Sequence, residues 1–351
     1  MKAKQWLLPA AVLLVLVLLG YMQFRMFHSF QWSVLSGVFS SILWSRIALS
    51  VAFIFIAYVT RAIRWSIFLR PTKPTRATAL IPSQFIGFTA VAILGRLGEF
   101  VRPYLIARRE QISFTSQIAT YAVERVFDLL AAASIIAVTL TFSSSVNTLP
   151  HSAQFRHFGY VAMLGSVFIG ALVVAARLAG PSVAAIFARA FGLFSKSAGH
   201  HAQEKILAFS HGLDTIRNLA DLTLALFWSF ATWGLIALAY VECVHAFQVP
   251  TLAAIAPAQA ILLMAGSLFG SVLQLPMVGG GSQLATIHIM ISILHVGPEA
   301  ATACGIVLYL ATSMSVIPVG LILSRTEHIS LRNVARSSET EEKSLEAENA
   351  L

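Results

Sequence analysis

Between residues 94 and 105 the chain reads LGRLGEFVRPYL, a run that sets Arg96, Glu99 and Arg102 three residues apart among apolar neighbours. On a helix this i, i+3, i+6 spacing makes a charged ladder along one side. Gly95 and Gly98 interrupt the run and allow a tight turn with close backbone approach. A helix that opens near Gly95 presents free N–H groups, which favour an anion such as a phosphate. Glu99 then either balances that anion site or pairs with a neighbouring arginine. Two further groups carry charge inside apolar segments. In YVTRAIRWSIFLRP, Arg61 and Arg64 share a helix face. Two readings stand for them: snorkelling to the headgroups beside an interfacial Trp65, or a two-arginine clamp for a lipid phosphate, whose oxygens match guanidinium forks. In YAVERVFDLLA, Glu124 and Asp128 lie at i, i+4 beside Arg125. These three leave one negative charge to be matched, with Arg61, Arg64 or Arg96 as available partners. They make a register-fixing charge network, a site for a cationic group, or a carboxylate that takes up a proton during transport. Because a charge at the bilayer centre costs at least ~2.5 kcal/mol, each of these groups is a functional candidate by default.

The elements that must hold such charges follow from composition. The chain has 351 residues, 57% hydrophobic and only 11% charged, whereas a soluble domain carries roughly 25% charged residues. Apolar runs of 18 or more residues cross a ~30 Å hydrocarbon core at about 1.5 Å per residue. The expected fold is an all-α polytopic integral membrane protein, one transmembrane domain over 1–325 with a disordered polar tail over 326–351. Six full spans are expected, at 6–24, 47–69, 115–142, 157–178, 221–246 and 299–324. Two pairs of arms behave differently. Arms 80–94 and 99–113 are broken by Gly95 to Gly98. Arms 256–275 and 282–295 are broken by a run that contains Pro276, Gly279, Gly280 and Gly281. An arm of about fifteen residues reaches roughly 22 Å as helix, so both pairs read as re-entrant hairpins. Non-helical backbone at that depth must be buried in protein or line a wet cavity. The first hairpin enters from the cytoplasm and the second from outside, the pattern of an inverted repeat with a site between the halves. The alternative is that the glycines only ease packing, as Gly266-x-x-x-Gly270 does.

The net charge of +9 does not imply nucleic acid. The basic residues are spread over short loops, and the expected outer loops hold only Arg25, Arg46 and Arg156, so the positive-inside rule accounts for them and puts both termini in the cytoplasm. The inner segment 179–220 carries an apolar stripe at Val183, Ile186, Phe187, Ala190, Phe191 and Phe194, with Arg189 and Lys196 off it. It suits an amphipathic helix in the headgroup layer. Cys243 and Cys304 have no CxxC or Cys/His spacing, so neither a disulfide nor a metal site is expected. No P-loop, HExxH or GxSxG occurs, so no ATPase, no zinc-protease or serine-hydrolase chemistry and no cofactor is expected.

The pair GRLGEFVRPYL and YAVERVFDLLA resembles the signature of the lysylphosphatidylglycerol synthase transmembrane-region family of flippase-like bacterial membrane proteins. RAIRW and LPMVGGGSQ occupy the places of that family's arginine-rich span and proline-glycine break. The resemblance covers about residues 6–325. It implies a lipid translocase of the bacterial inner membrane, because in two-part members this region moves an aminoacylated phospholipid outward after a separate soluble domain has made it. It also implies that Arg96, Glu99, Arg102, Glu124, Arg125 and Asp128 line the headgroup path, with Arg61 and Arg64 close by. Two departures matter. The chain is expected to stand alone, without the aminoacyl-transfer domain. Ser282 to Ala285 follow the second break where many members have an acidic residue, which leaves the headgroup open. The expectation is a translocase of a phosphate-bearing lipid, with membrane lipid as its partner. Two alternatives stay open: an integral-membrane enzyme that uses Glu124 or Asp128 as general base, and a scaffold for a partner enzyme that uses the amphipathic segment 179–220. A partner enzyme or a homo-oligomer stays open as well.

Overall fold

The protein is seen in a computed structural model that describes residues 32–192, 195, 200, 203, 218–271 and 280–327, without the side chains of Trp32, Arg96, Leu97 and Ala176. The expected span 6–24, the inner stretch after Gly192 with Phe194 and Lys196, the break residues Pro276 and Gly279 and the tail beyond Glu327 lie outside the described residues. The described chain is helical: α1 Trp32–Ser40, α2 Trp44–Leu69, α3 Ala77–Leu94, α4 Val101–Glu110, α5 Phe114–Phe142, α6 Ser152–Gly192, α7 Leu219–Val244, α8 Pro250–Ala253, α9 Pro257–Gly270, α10 Gly281–Ser292, α11 Pro298–Tyr309 and α12 Val316–Thr326.

Among the described residues six helical stretches are long and apolar enough to span: α2, α3, α5, Ser152–Ala179 of α6, α7 and Pro298–Thr326. This is an all-α polytopic membrane protein. One expectation changes. The arm expected at 80–94 begins at Ala77, has 18 residues and ranks with the full spans. Its start is set by Arg76, which holds extended backbone (φ −68°, ψ 137°), rather than by the hydropathy of the first turn. Its partner is shorter than expected, Val101–Glu110, and closes on Gln111 in the left-handed region (φ 53°). The second hairpin keeps two short arms, α9 with 14 residues and α10 with 12.

Local sequence explains the helix ends and bends. Ser113 caps α5 by accepting from the Ser116 amide, and Asn218 caps α7 by accepting from the Asp221 amide at 2.8 Å. Proline opens α9 and α11, where its missing N–H leaves no helical bond unmade. In α6 the backbone leaves helical geometry at Ala179 (φ −145°, ψ 45°), two residues before Pro181, whose ring clashes with the preceding turn. The amphipathic segment therefore continues α6 past a kink, with Val183 and Ala184 buried and Ile186 and Phe191 exposed. Between α11 and α12 a π-turn over Leu310–Met314 absorbs Pro318, and the Ser315 amide donates to the Leu310 carbonyl at 2.8 Å.

The centre of the fold is the pair α2 and α7. They run antiparallel along their whole length: Arg46 pairs with Glu242, Ser50 donates to the Ala239 carbonyl, Thr60 meets Thr232, Arg64 meets Ser229, and Arg70 pairs with Asp221. An antiparallel bridge between Ile42 and Phe247 continues the pairing beyond the helices. Each of these spans has 26 residues, precedes a broken hairpin, and is followed by a 29-residue stretch, α5 in one half and Pro298–Thr326 in the other. Among the described residues the two halves therefore share an order of elements, and their first long spans, α2 and α7, run in opposite directions. Gly266 and Gly270 do form a packing face, where an added Cβ would strike Ile289 and the Gly281 backbone of α10. Cys243 and Cys304 are buried in the largest apolar cluster. α6 is the outlying span, with Leu164, Val167, Phe168 and Leu178 more than 60% exposed for lipid.

Candidate functional site

Polar contacts mark one end of the helix set. Arg70 with Asp221, Lys73 with Glu110 and Arg109 with Glu327 lie where α2 ends and α3, α5 and α7 begin. Counted from that end of α5 at 1.5 Å per residue, Glu124 lies about 15 Å deep and Asp128 about 21 Å, near the middle of a ~30 Å core. At this depth Arg61, Arg64, Arg102, Glu124, Arg125 and Asp128 converge.

The convergence is dense. Arg64 is fully buried, and its Nη2 donates to Glu124 Oε1 at 2.7 Å while Nη1 reaches Asp128 Oδ1 at 2.8 Å and Ser229 Oγ at 2.7 Å. Arg61 donates to Asp128 Oδ2 at 2.8 Å. Arg102 donates to Glu124 through both terminal nitrogens, one of them 3.1 Å from Oε1, and to Gln84 Oε1 at 2.9 Å. Arg125 reaches Asp128 at 3.1 Å and Glu124 at 3.5 Å, and its side chain alone among these four arginines stays 44% exposed. Trp233 adds an indole N–H to Asp128 Oδ1 at 3.2 Å. Four guanidiniums therefore surround two carboxylates, an excess of positive charge that Glu99 reduces but does not cancel. Among the described residues, the donors Arg61 Nε, Arg64 Nε and Gln84 Nε2 have no acceptor.

Aromatic rings fill the gaps. Arg61 and Arg102 both lie over the Phe88 ring, each guanidinium carbon 5.1 Å from its centroid. Arg102 also lies over Trp65 at 4.6 Å, and Arg125 over Tyr121 at 4.9 Å. Two cavities adjoin this ring. The smaller, about 70 Å³, is lined by Gly87, Phe88, Val91, Glu99, Arg102, Tyr121 and Arg125. That is room for several waters or one phosphate-sized group. The larger, about 220 Å³, is mostly apolar and has Arg61, Tyr58, Tyr240, Thr312 and Ser313 on its wall. Phe88 and Val91 belong to both.

The structure corrects several expectations. No single helix carries Arg96, Glu99 and Arg102: Gly95–Gly98 is a 3₁₀ turn, Glu99 follows in a turn, and Arg102 stands in the first turn of α4. Glu99 accepts from the Tyr121 hydroxyl at 2.6 Å. The backbone of Arg96 is in the 3₁₀ turn, and its side chain is outside the described residues. Arg102, counted with the inner loops from sequence, is 4% exposed and part of the cluster. Snorkelling is excluded for Arg61 and Arg64, and Trp65 is no interfacial anchor: it is buried and donates to Gln117 Oε1 at 3.0 Å. Gln84, Ser229, Trp233 and Phe88 escaped sequence reading. Gln84, the one amide side chain in α3, was the available signal. At the breaks, Gly95 and Gly280 both have positive φ, Gly98 packs against the backbone of Ala90 and Val91, and Gly281 opens α10.

Helices of this length around a shared charged centre define a multi-pass membrane protein. Residues 7–320 match the family Lysylphosphatidylglycerol synthase TM region, and the chain belongs to it. Membership relates it to the modification or transport of lipid. No curated protein matches the chain.

Proposed function

We propose that this chain is a translocase of the bacterial inner membrane that moves a phosphate-bearing lipid between leaflets, with both termini cytoplasmic. The observation that carries the reading is the excess of guanidinium over carboxylate around a small cavity near mid-membrane depth. Arg102 and Arg125 line that cavity and are the groups that meet the phosphate oxygens, while Arg61 and Arg64 hold Asp128 and Glu124 in place behind them. Acyl chains stay in the lipid beside the helices.

The enzyme alternative loses ground on the same geometry. Glu124 contacts Arg64, Arg102 and Arg125, and Asp128 contacts Arg61, Arg64 and Arg125. A carboxylate held by three cations is a poor general base. The test is native mass spectrometry of the gently purified protein, paired with leaflet exchange of a labelled phospholipid in proteoliposomes. Wild type should retain one phosphate-bearing lipid class and exchange it, and Arg125→Ala should lose both while remaining folded. The same unselective lipids on both proteins, with no exchange above empty liposomes, would overturn the reading.

A further inference from the structure

Of the three acidic side chains at the centre, Glu99 is placed differently. Glu124 and Asp128 have their oxygens occupied by guanidiniums and by the Trp233 indole. Glu99 Oε2 accepts from the neutral Tyr121 hydroxyl at 2.6 Å, and its side chain is on the wall of the 70 Å³ cavity together with Arg102 and Arg125. The groups facing it are few. α4 contributes Arg102, α5 contributes Tyr121 and Arg125 with Glu124 and Asp128 behind them, and α3 contributes only Gly87, Phe88 and Val91. Arg96 shares the connecting turn.

That arrangement sets a conflict. A phosphate drawn in by Arg102 and Arg125 must share a cavity of one group's size with a carboxylate of like charge. Two like charges that share one small cavity each disfavour the other's charged form, which raises the carboxyl's affinity for a proton while the anion is bound. Arg102 and Arg125 also hold Glu124 and Asp128, so the positive charge they offer is shared between those carboxylates and the incoming anion. The carboxylate able to respond is the one without a guanidinium grip among the described residues.

We infer that Glu99 is a proton-binding site coupled to the anion site, so that the protein takes up a proton together with the phosphate group it binds. The inference rests on the proposed lipid-phosphate reading and deepens it by naming the co-substrate. The proton comes from water and adds to one carboxyl oxygen of Glu99, while the other keeps accepting from Tyr121. The neutral carboxyl then offers an O–H to a phosphate oxygen where the carboxylate offered only repulsion. When the anion leaves, the proton leaves with it. By linkage the effect is reciprocal: lower pH tightens anion binding, and anion binding draws in a proton. One proton taken up per anion changes the apparent affinity by up to tenfold per pH unit.

The experiment uses the purified full chain in detergent with a short-chain phosphatidylglycerol, a phosphodiester whose own charge is constant from pH 5.5 to 8. Its Kd is measured across that range, with proton uptake followed in weak buffer by an indicator dye, and sulfate is run in parallel. Expected is a Kd that falls toward low pH by up to tenfold per unit, with about one proton taken up per lipid bound. Glu99→Gln should bind at all pH values with the slope abolished. A slope with sulfate as well assigns the coupling to the anion alone, and a slope with lipid only assigns it to the headgroup. Tight but pH-independent binding by wild type, or an unchanged slope in Glu99→Gln, overturns the inference and leaves the lipid-phosphate reading standing. No specific binding at any pH overturns both.

Discussion

Gly95 and Gly280 have nearly the same backbone conformation, φ 64° and ψ −137° at one, φ 67° and ψ −143° at the other, although they belong to opposite halves of the chain. Gly95 closes α3 at the first hairpin break, and Gly280 opens α10 at the second. Side chains rarely accept this region, so the two breaks are solved by the same local device. Alanine at either position should destabilise the protein by about 1–3 kcal/mol. Gly37→Ala in α1, where an added Cβ meets nothing within 4 Å, should be neutral or slightly stabilising. Thermal unfolding of the three variants in one detergent checks this.

Glu124→Gln should be among the most damaging single changes. It strips the buried Arg102 of its carboxylate partner and leaves the buried Arg64 with Asp128 alone. Removing one member of a buried pair costs roughly 3–5 kcal/mol. By contrast, Arg46→Ala breaks a pair whose arginine side chain is 42% exposed, and should shift stability by under about 1 kcal/mol. Expression level and melting temperature distinguish the two.

The α2–α7 pairing should tolerate being locked. Thr60 and Thr232 have their hydroxyls 2.7 Å apart in the buried middle of the pair. The double variant Thr60→Cys, Thr232→Cys should cross-link under mild oxidation and keep wild-type lipid exchange. Loss of exchange on cross-linking, restored by reduction, would show instead that the two spans separate during the cycle.

Phe88→Ala should join the two cavities. Its ring is on the wall of each and is approached by both Arg61 and Arg102. A cysteine at Ser313, on the larger cavity's wall, should react faster with a membrane-impermeant thiol reagent in the Phe88→Ala background than with Phe88 intact. An unchanged rate would mean that Val91 and the backbone alone keep the compartments apart.

Hydropathy located most of the described spans, and it did so because lipid rewards uninterrupted apolar length. α5 and α7 begin and end within about two residues of expectation once the ±1–2 residue spread of helix ends is allowed. Charge inside those spans also pointed to the right residues, since an intramembrane Glu124 or Arg64 has no cheap resting place. What sequence could not convey was which face meets which. Trp65 has the composition of an interfacial anchor, and only the packing of α2 against α5 turns it inward to Gln117. Arg102 lies in VRPYLIARRE, polar enough to pass for loop, and the tight contact of α4 with Gly87 is what carries it into the cluster. Gln84 and Ser229 became legible only once their partners were in place.

The two halves share a frame, but not a grip. Asp128 is the middle residue of α5, and the middle residue of Pro298–Thr326, its counterpart in the other half, is Thr312. Arg61, Arg64, Arg102 and Arg125 all come from the first half, which the second answers with the hydroxyls of Tyr240, Thr312 and Ser313. On the proposed reading an anion at the centre meets the cations of the first half only. The second half touches that cluster through Ser229 and Trp233, and two halves of similar plan become unlike through their charges.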